Sequence, residues 1–316
     1  MDIQQTVTKK NKTDKLEEIT QTNKFVHNPH NANCVLMVSP VHLQFNEQTA
    51  QDNEYQKESA LELGTIRENA LVEFYTMVEQ LQNLGIEVIV ITPDINGEIK
   101  PDAIFPNNCF STTSCGSVYL YPMYTPNRRD EVKQEQLLQA FNLARKKVNK
   151  ILDLRSGNNI ALEGTGVLIF DHVNHHLYAG LSNRANETLI DEFAQSGRYQ
   201  LTTFNTSTTK QSPVYHTNVL LSIGESFAVI CQDVIEEKHR KNVIEQLSFT
   251  KELVIINEAQ MENFCANILQ LEKPNGDKVI VMSSSAYNAF SLEQKALLAK
   301  HGQLIAFNIP TIESIG

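Results

Sequence analysis

Paired cysteines are missing from this sequence. The five present, Cys34, Cys109, Cys115, Cys231 and Cys265, are odd in number and contain no Cys-x-x-Cys pair. That spread fits a reducing compartment better than a disulfide framework, and no zinc-ligand spacing accompanies it, so no metal or cofactor is expected. Long apolar runs are also missing: no segment approaches the roughly 20 residues of a membrane span, and Met-Asp-Ile-Gln-Gln at the start offers no signal-peptide core. The expectation is a soluble, cytoplasmic protein. An excess of basic charge is absent as well, since the formal net charge is −10, which argues against nucleic acid or an anionic membrane as partner. A glycine-rich phosphate loop is lacking too: Gly164-Thr-Gly166 is too short and is expected to precede a strand rather than a helix, which disfavours a dinucleotide-binding sheet.

What is present is a core-forming composition, 41% hydrophobic and 20% charged over 316 residues, enough for one or two domains. Residues 1–33 are rich in Lys, Thr, Asn and Gln and read as a disordered tail; residues 34–316 read as a single domain. That domain opens with the apolar run Val35–Val38, ended by Ser39-Pro40, and a polar stretch from Gln44 to Gln56 reads as a surface loop.

Beyond it one grammar recurs. Leu71, Phe74, Val78 and Leu81 predict a helix ended at Gly85 before a strand over Ile86–Ile91. Leu137, Phe141 and Val148 precede Ile151–Leu154; Leu189, Ile190 and Phe193 precede Tyr199–Phe204; Ile235, Val243 and Leu247 precede Leu253–Ile256. A fifth helix opens at Ser291 with Gln294 in capping-box spacing and feeds Leu304–Phe307. Further strands are expected after the first four of these, at Val118–Leu120, Val167–Phe170, Val219–Ile223 with Phe227–Ile230, and Ile268–Leu271 with Val279–Met282. The fifth unit stops without them. Three polar clusters, Phe105-Pro-Asn-Asn108, Leu162-Glu-Gly-Thr165 and Tyr215-His-Thr-Asn218, set Asn108, Glu163 and His216 apart by 163 − 108 = 55 and 216 − 163 = 53 residues. Such a period marks a repeated supersecondary unit, and a closed ring of αβ units would gather those residues at one centre. A lone glutamate in a turn is more often a surface acid and a lone histidine more often a packed one; together they are the usual general acid/base pair, which a nearby nucleophile would complete.

The runs Pro101–Asn108, Tyr121–Arg129, Leu162–Gly166, Leu181–Arg184 and Tyr215–Val219, occurring jointly and in order, resemble the guanidino-group-modifying superfamily, which includes arginine deiminase, dimethylarginine hydrolase and amidinotransferases. Within it the chain is most similar to the citrulline-utilisation hydrolase branch. The resemblance spans nearly all of residues 34–316 and implies an α/β fold, the five-bladed αβ propeller called the pentein fold, with its last blade incomplete here. It implies a hydrolase that attacks an amidine or ureido carbon through a covalent cysteine intermediate, with Glu163 and His216 as the catalytic acid and histidine and Arg184 holding the substrate carboxylate.

Asn108 and Asn218 stand where relatives that process arginine carry aspartates. Neutral amides suit an uncharged ureido group better than a guanidinium cation, which tilts the expected substrate from arginine to citrulline. The expected partner is thus a small amino acid, and a homo-oligomer is compatible with the sequence. The family's nucleophilic cysteine follows a match to Ile312–Gly316, so its segment is missing from these residues; Cys109 and Cys265 read as packing residues. A truncated record of an active enzyme is favoured over a catalytically dead chain. The alternatives are an amidinotransferase and a non-catalytic homologue that binds an amino acid. The tyrosines Tyr119, Tyr121 and Tyr124 read as structural, His175 and His176 as solvent-facing, and Arg128 and Arg129 are open between a salt-bridged turn and a pair beside substrate.

Overall fold

A computed structural model describes residues 30–129, 131, 133–155 and 160–315. The tail reading for residues 1–29 lies outside the described residues. Residues 30–33 are packed on the fold instead: Ala32 bridges Leu271, and Asn31 is 6% exposed with its amide donating to Glu225.

The five helix-to-strand passages read from spacing are all present. Helix Leu63–Asn83 buries Ile66, Ala70, Phe74, Val78 and Leu81 along one stripe, and Gly85 at φ +84° turns the chain into β2 (Glu87–Ile91). This strand lies parallel to β1 (Cys34–Val38). The same crossover repeats four times, each with an added antiparallel strand. Strands β3 (Phe110–Thr112) and β4 (Ser117–Leu120) form a hairpin, and helix Gln134–Leu143 leads to β5 (Lys150–Asp153), parallel to β4. Next come β6 (Ile169–Asp171), β7 (His176–Gly180), helix Glu187–Gly197 and β8 (Gln200–Phe204). They are followed by β9 (Leu221–Ile223), β10 (Phe227–Ile230), helix Glu237–Ser248 and β11 (Glu252–Ile255). Last are β12 (Leu269–Glu272), β13 (Lys278–Ser283), helix Leu292–Ala299 and β14 (Gln303–Phe307). The expected capping box is formed: Ser291 accepts from the Gln294 backbone N–H and the Gln294 side chain accepts from that of Ser291.

The result is an α/β fold with one two-stranded and four three-stranded sheets; among the described residues no ladder joins these sheets into a closed ring. The hydrophobic core lies between neighbouring sheets: one cluster joins Phe204 of β8 to Leu220, Phe227 and Ile230 at β9 and β10, and another joins Tyr119 of β4 to Leu177 of β7 with Leu162, Val167 and Phe193. After β14 the helix Pro310–Ile315 returns to helix Leu63–Asn83, where Glu73 accepts hydrogen bonds from the Thr311 and Ile312 backbone N–H groups. No helix among the described residues is long and apolar enough to cross a membrane.

Three expectations need correction. Gly164–Val167 is a helical turn, so Val167 belongs to that turn and the strand begins at Ile169; likewise Val219, expected to open a strand, closes the turn Thr217–Val219 and the strand begins at Leu221. The stretch Gln44–Gln56 is not simply a surface loop: Asn46, Thr49, Asn53 and Gln56 are buried, because Asn46, Thr49 and Gln56 hydrogen-bond the buried Asp102 carboxylate. His176 is also buried, stacked on Tyr178 with Nε2 2.8 Å from Thr202 Oγ1.

Candidate functional site

Each of the three polar clusters forms one helical turn placed just before the first strand of a sheet: Pro106–Asn108 before β3, Gly164–Val167 before β6 and Thr217–Val219 before β9. The residues preceding these turns, and so equivalent to one another, are Phe105, Glu163 and His216. The repeat therefore equates Glu163 with His216 as expected, but Asn108 closes its turn three residues later than that register. The middle turn contacts both of the others.

Glycine makes that convergence possible. Gly164 has φ +43°, and a Cβ there would lie 2.4 Å from the Asn107 carbonyl oxygen and 2.9 Å from that of Asn108. The backbone can approach this closely only without a side chain. Gly166 opens the space between two site residues: a Cβ on it would lie 2.4 Å from Asn108 Nδ2, 3.0 Å from His216 Cε1 and 3.1 Å from His216 Nδ1.

Glu163 is fully buried, and both of its oxygens are used. Oε1 accepts from the Tyr124 backbone N–H at 3.0 Å; Oε2 accepts from His216 Nε2 at 2.7 Å and from Arg184 Nη1 at 3.3 Å, with Arg128 Nη1 at 3.8 Å. Burial alone would raise the carboxyl, but the His216 hydrogen bond and the neighbouring positive charges outweigh it and hold Glu163 at about 2. Burial pulls His216 below its ordinary 6.5, aided by Arg184 and Arg128 and opposed by Glu163. The imidazole is thus neutral at pH 7, with its proton on Nε2 facing the carboxylate. Nδ1 has no hydrogen-bonding protein partner among the described residues and keeps its lone pair toward Gly166, the geometry of a base ready to accept a proton.

The Glu163 shift fixes an acid dependence. Because the folded value of about 2 lies below the ordinary 4.5, the associated stability is complete above about pH 4.5 and is lost as pH falls toward 2. The loss attributable to this group is about 3 kcal/mol. Urea midpoints measured between pH 5 and pH 2.5 should show a decline that Glu163→Gln lacks; parallel curves for the two proteins would contradict the assignment.

Arg184 is 1% exposed, and most of its guanidinium is already engaged. Nε and Nη2 donate to the two oxygens of Asp52, Nη2 also donates to the Thr49 carbonyl at 3.2 Å, and Nη1 to Glu163; the carbon end lies 4.8 Å from the Tyr215 ring centroid. The carboxylate it grips in this structure is therefore the chain's own Asp52. Arg128, 2% exposed, settles the question left open by sequence in favour of an ion-paired turn at the heart of the site. Its Nε donates to both Glu131 oxygens at 3.0 and 2.9 Å, its Nη1 to Asn108 Oδ1 at 3.2 Å, and Asp102 lies 3.7 Å away. With several carboxylates around two arginines, burial pushes Glu131 up to about 7 despite Arg128. Asn108 is 4% exposed, whereas Asn218, inside the turn Thr217–Val219, is half-buried and its side chain has no protein partner among the described residues.

Sequence reasoning missed Asp52, Asp102, Glu131 and the polar loop beneath them. The single available signal was Arg128-Arg129 followed by Glu131, whose i, i+3 spacing permits an ion pair. None of the five cysteines is a ready thiolate in this constellation. Burial raises the thiols of Cys34 and Cys109, and brings Cys231 up to about 11 and Cys265 up to about 12. Cys115 alone is lowered, against burial, by bonds to Ser117 and Thr113, but it sits in the hairpin tip between β3 and β4, at the opposite end of β3 from Asn108. Among the described residues no group of histidine, cysteine and acidic side chains could hold a metal ion.

The profile of the eukaryotic N,N dimethylarginine dimethylhydrolase family matches residues 39–316. No curated protein matches the chain. Among solved structures, the fold is similar to ArgZ, an arginine dihydrolase from cyanobacteria, with TM-score 0.67 and 16% identity over 90% of this chain and 39% of that one. Against the N-terminal domain of ArgZ, a Cys-to-Ser mutant bound to substrate, the score is 0.65 at 16% identity, covering 89% of this chain and 93% of that one. A Cys-to-Ser mutant of dimethylarginine dimethylhydrolase from Pseudomonas aeruginosa, complexed with citrulline, gives 0.61 at 12% identity, covering 91% and 96%. The chain thus spans well under half of full-length ArgZ, and these likenesses establish the shared fold.

Proposed function

Because the chain belongs to the eukaryotic N,N dimethylarginine dimethylhydrolase family, we propose that it serves the hydrolysis of a C–N bond in citrulline, by way of a covalent cysteine intermediate. At family level the activity is that of a C–N hydrolase acting on guanidino-type groups. The observation that carries the reading is the pair Glu163–His216 at 2.7 Å, with His216 Nδ1 unpartnered among the described residues beside the Asn108 amide.

In the proposed reaction a thiol passes its proton to His216 Nδ1 as its sulfur attacks the ureido carbon, the C–N bond to the leaving amine breaks, and that amine departs with the same proton. Water then gives a proton to Nδ1 and attacks the same carbon, and cleavage of the C–S bond, with the Nδ1 proton returned to sulfur, restores the thiol. Glu163 holds the imidazole in the required tautomer and stabilises it when charged. The nucleophile is a thiol that none of Cys34, Cys109, Cys115, Cys231 and Cys265 supplies. Asn108 and Asn218 bind the ureido group. Arg184 meets the substrate carboxylate only once Asp52 has given up its fork, since one carboxylate fills both Nε and Nη2. The five sheets are read as blades arranged about these residues, in a single domain.

Product analysis tests the reading. The intact protein, supplied with L-citrulline or L-arginine, is expected to release ornithine faster from citrulline. Faster release of ammonia or ornithine from arginine would overturn the substrate assignment. Release from neither, with citrulline bound, would leave a non-catalytic amino-acid-binding protein.

A further inference from the structure

The Asn108 amide can face the reaction centre in two ways, offering either its oxygen or its NH2 group. Arg128 decides which. A guanidinium carries only donors and cannot be deprotonated in a protein, so the atom of Asn108 within hydrogen-bond reach of it has to be the oxygen. That oxygen is 3.2 Å from Arg128 Nη1. Arg128 cannot turn away to release it: Nε is held by both Glu131 oxygens and Nη2 reaches the Asp102 and Phe105 carbonyls at 3.4 Å. The opposite end of the amide, Nδ2, then crowds Gly166 from one side as the His216 ring does from the other.

We infer that Arg128 is a positioning residue that locks Asn108 as a hydrogen-bond donor toward the reacting group, so that the site selects a substrate whose central carbon carries an acceptor oxygen. The inference rests on the hydrolase reading above and names the residue that fixes its preference for a ureido group. It differs from an argument about neutrality alone, because a neutral amide free to rotate would serve a guanidinium through its oxygen as well as a ureido group through its nitrogen. Asn218, with no partner for its side chain among the described residues, has that freedom; Asn108 does not. A guanidinium placed against Nδ2 would bring N–H against N–H and add a third positive charge beside Arg128 and Arg184. A ureido oxygen there accepts a bond.

Asn108→Asp is the informative variant. One carboxylate oxygen keeps the Arg128 contact and the other replaces the NH2 group, so the polarity toward the substrate inverts with almost no change of shape. Binding is read by calorimetry with L-citrulline and L-arginine on the 316-residue chain, with circular dichroism to confirm folding, so that no turnover is required. The wild-type chain should bind citrulline at least about 10-fold more tightly than arginine, and Asn108→Asp should reverse the order, with a change in the ratio of about 100-fold. Asn108→Ala should lose citrulline affinity without gaining arginine. If Asn108→Asp or, should it fail to fold, Asn108→Ala keeps the wild-type affinity for citrulline, the orienting role is refuted while the hydrolase reading stands. If the wild-type chain binds arginine more tightly, or neither compound, the substrate reading itself falls and this inference with it.

Discussion

Glu163→Gln is expected to destabilise the protein by about 3–5 kcal/mol, although it changes a single atom. The carboxylate receives three donors on two oxygens: the Tyr124 N–H on one side, and His216 Nε2 and Arg184 Nη1 on the other. A glutamine has one acceptor oxygen, and in either orientation its NH2 group points at a donor. The substitution also removes a negative charge that Arg184 and Arg128 share, leaving them to Asp52 and to Glu131 and Asp102 respectively, and the buried donor left facing an NH2 group adds to that lost charge in the expected destabilisation. His216 can relieve the clash by moving its proton to Nδ1, but that consumes the lone pair facing Gly166. The variant should therefore fail as a base even where it folds. Urea unfolding at pH 7 measures the first effect; a loss below about 1 kcal/mol would show that Arg184 and Arg128 do not depend on Glu163.

Gly164→Ala is expected to have a comparable effect for a mechanical reason. The residue combines φ +43° with two carbonyl oxygens closer to the new methyl than any real contact permits, and both belong to the backbone of the turn Pro106–Asn108. A side chain could move aside; a turn that also carries Asn108 and is held by Thr165 Oγ1 on the Asn107 carbonyl at 3.2 Å cannot do so without separating the clusters. A loss of about 3 kcal/mol or more follows, or failure to fold at all. Thermal unfolding checks it: a melting temperature within a degree or two of wild type would mean that the two turns are not in fixed contact.

Much of the fold was legible because helices and strands announce themselves over short distances. The stripe Phe74, Val78 and Leu81, the stop at Gly85, and the Ser291–Gln294 box need no partner elsewhere in the chain to be read. The pairing of Glu163 with His216 came from period and resemblance together, and the two side chains do meet. What sequence could not disclose are polar residues whose partners are remote. Asn46, Thr49 and Gln56 look like solvent-facing residues until Asp102, 46 to 56 positions later, is seen to take all three hydrogen bonds. Arg184 looked available to a ligand until Asp52, 132 positions earlier, was found on its fork. A boundary near glycine differs as well: the strand expected from Val167 begins at Ile169, because the turn opened by Gly164, in contact with the neighbouring turns, extends through Val167.

The Glu73 carboxylate that receives the N–H groups of Thr311 and Ile312 closes a span of 238 and 239 residues, most of the described length of the chain. Contacts of such separation form after local ones, since closing a long loop removes chain entropy before any packing rewards it. The hairpins and crossovers of individual sheets need only neighbouring residues and can assemble early. The Glu163 constellation draws on Asp52, Arg128, Arg184 and His216, so in time it belongs with the late closures. During refolding, secondary structure should be recovered while the carboxylate–imidazole pair is still apart, leaving an interval in which the chain resembles its native form but has no competent base.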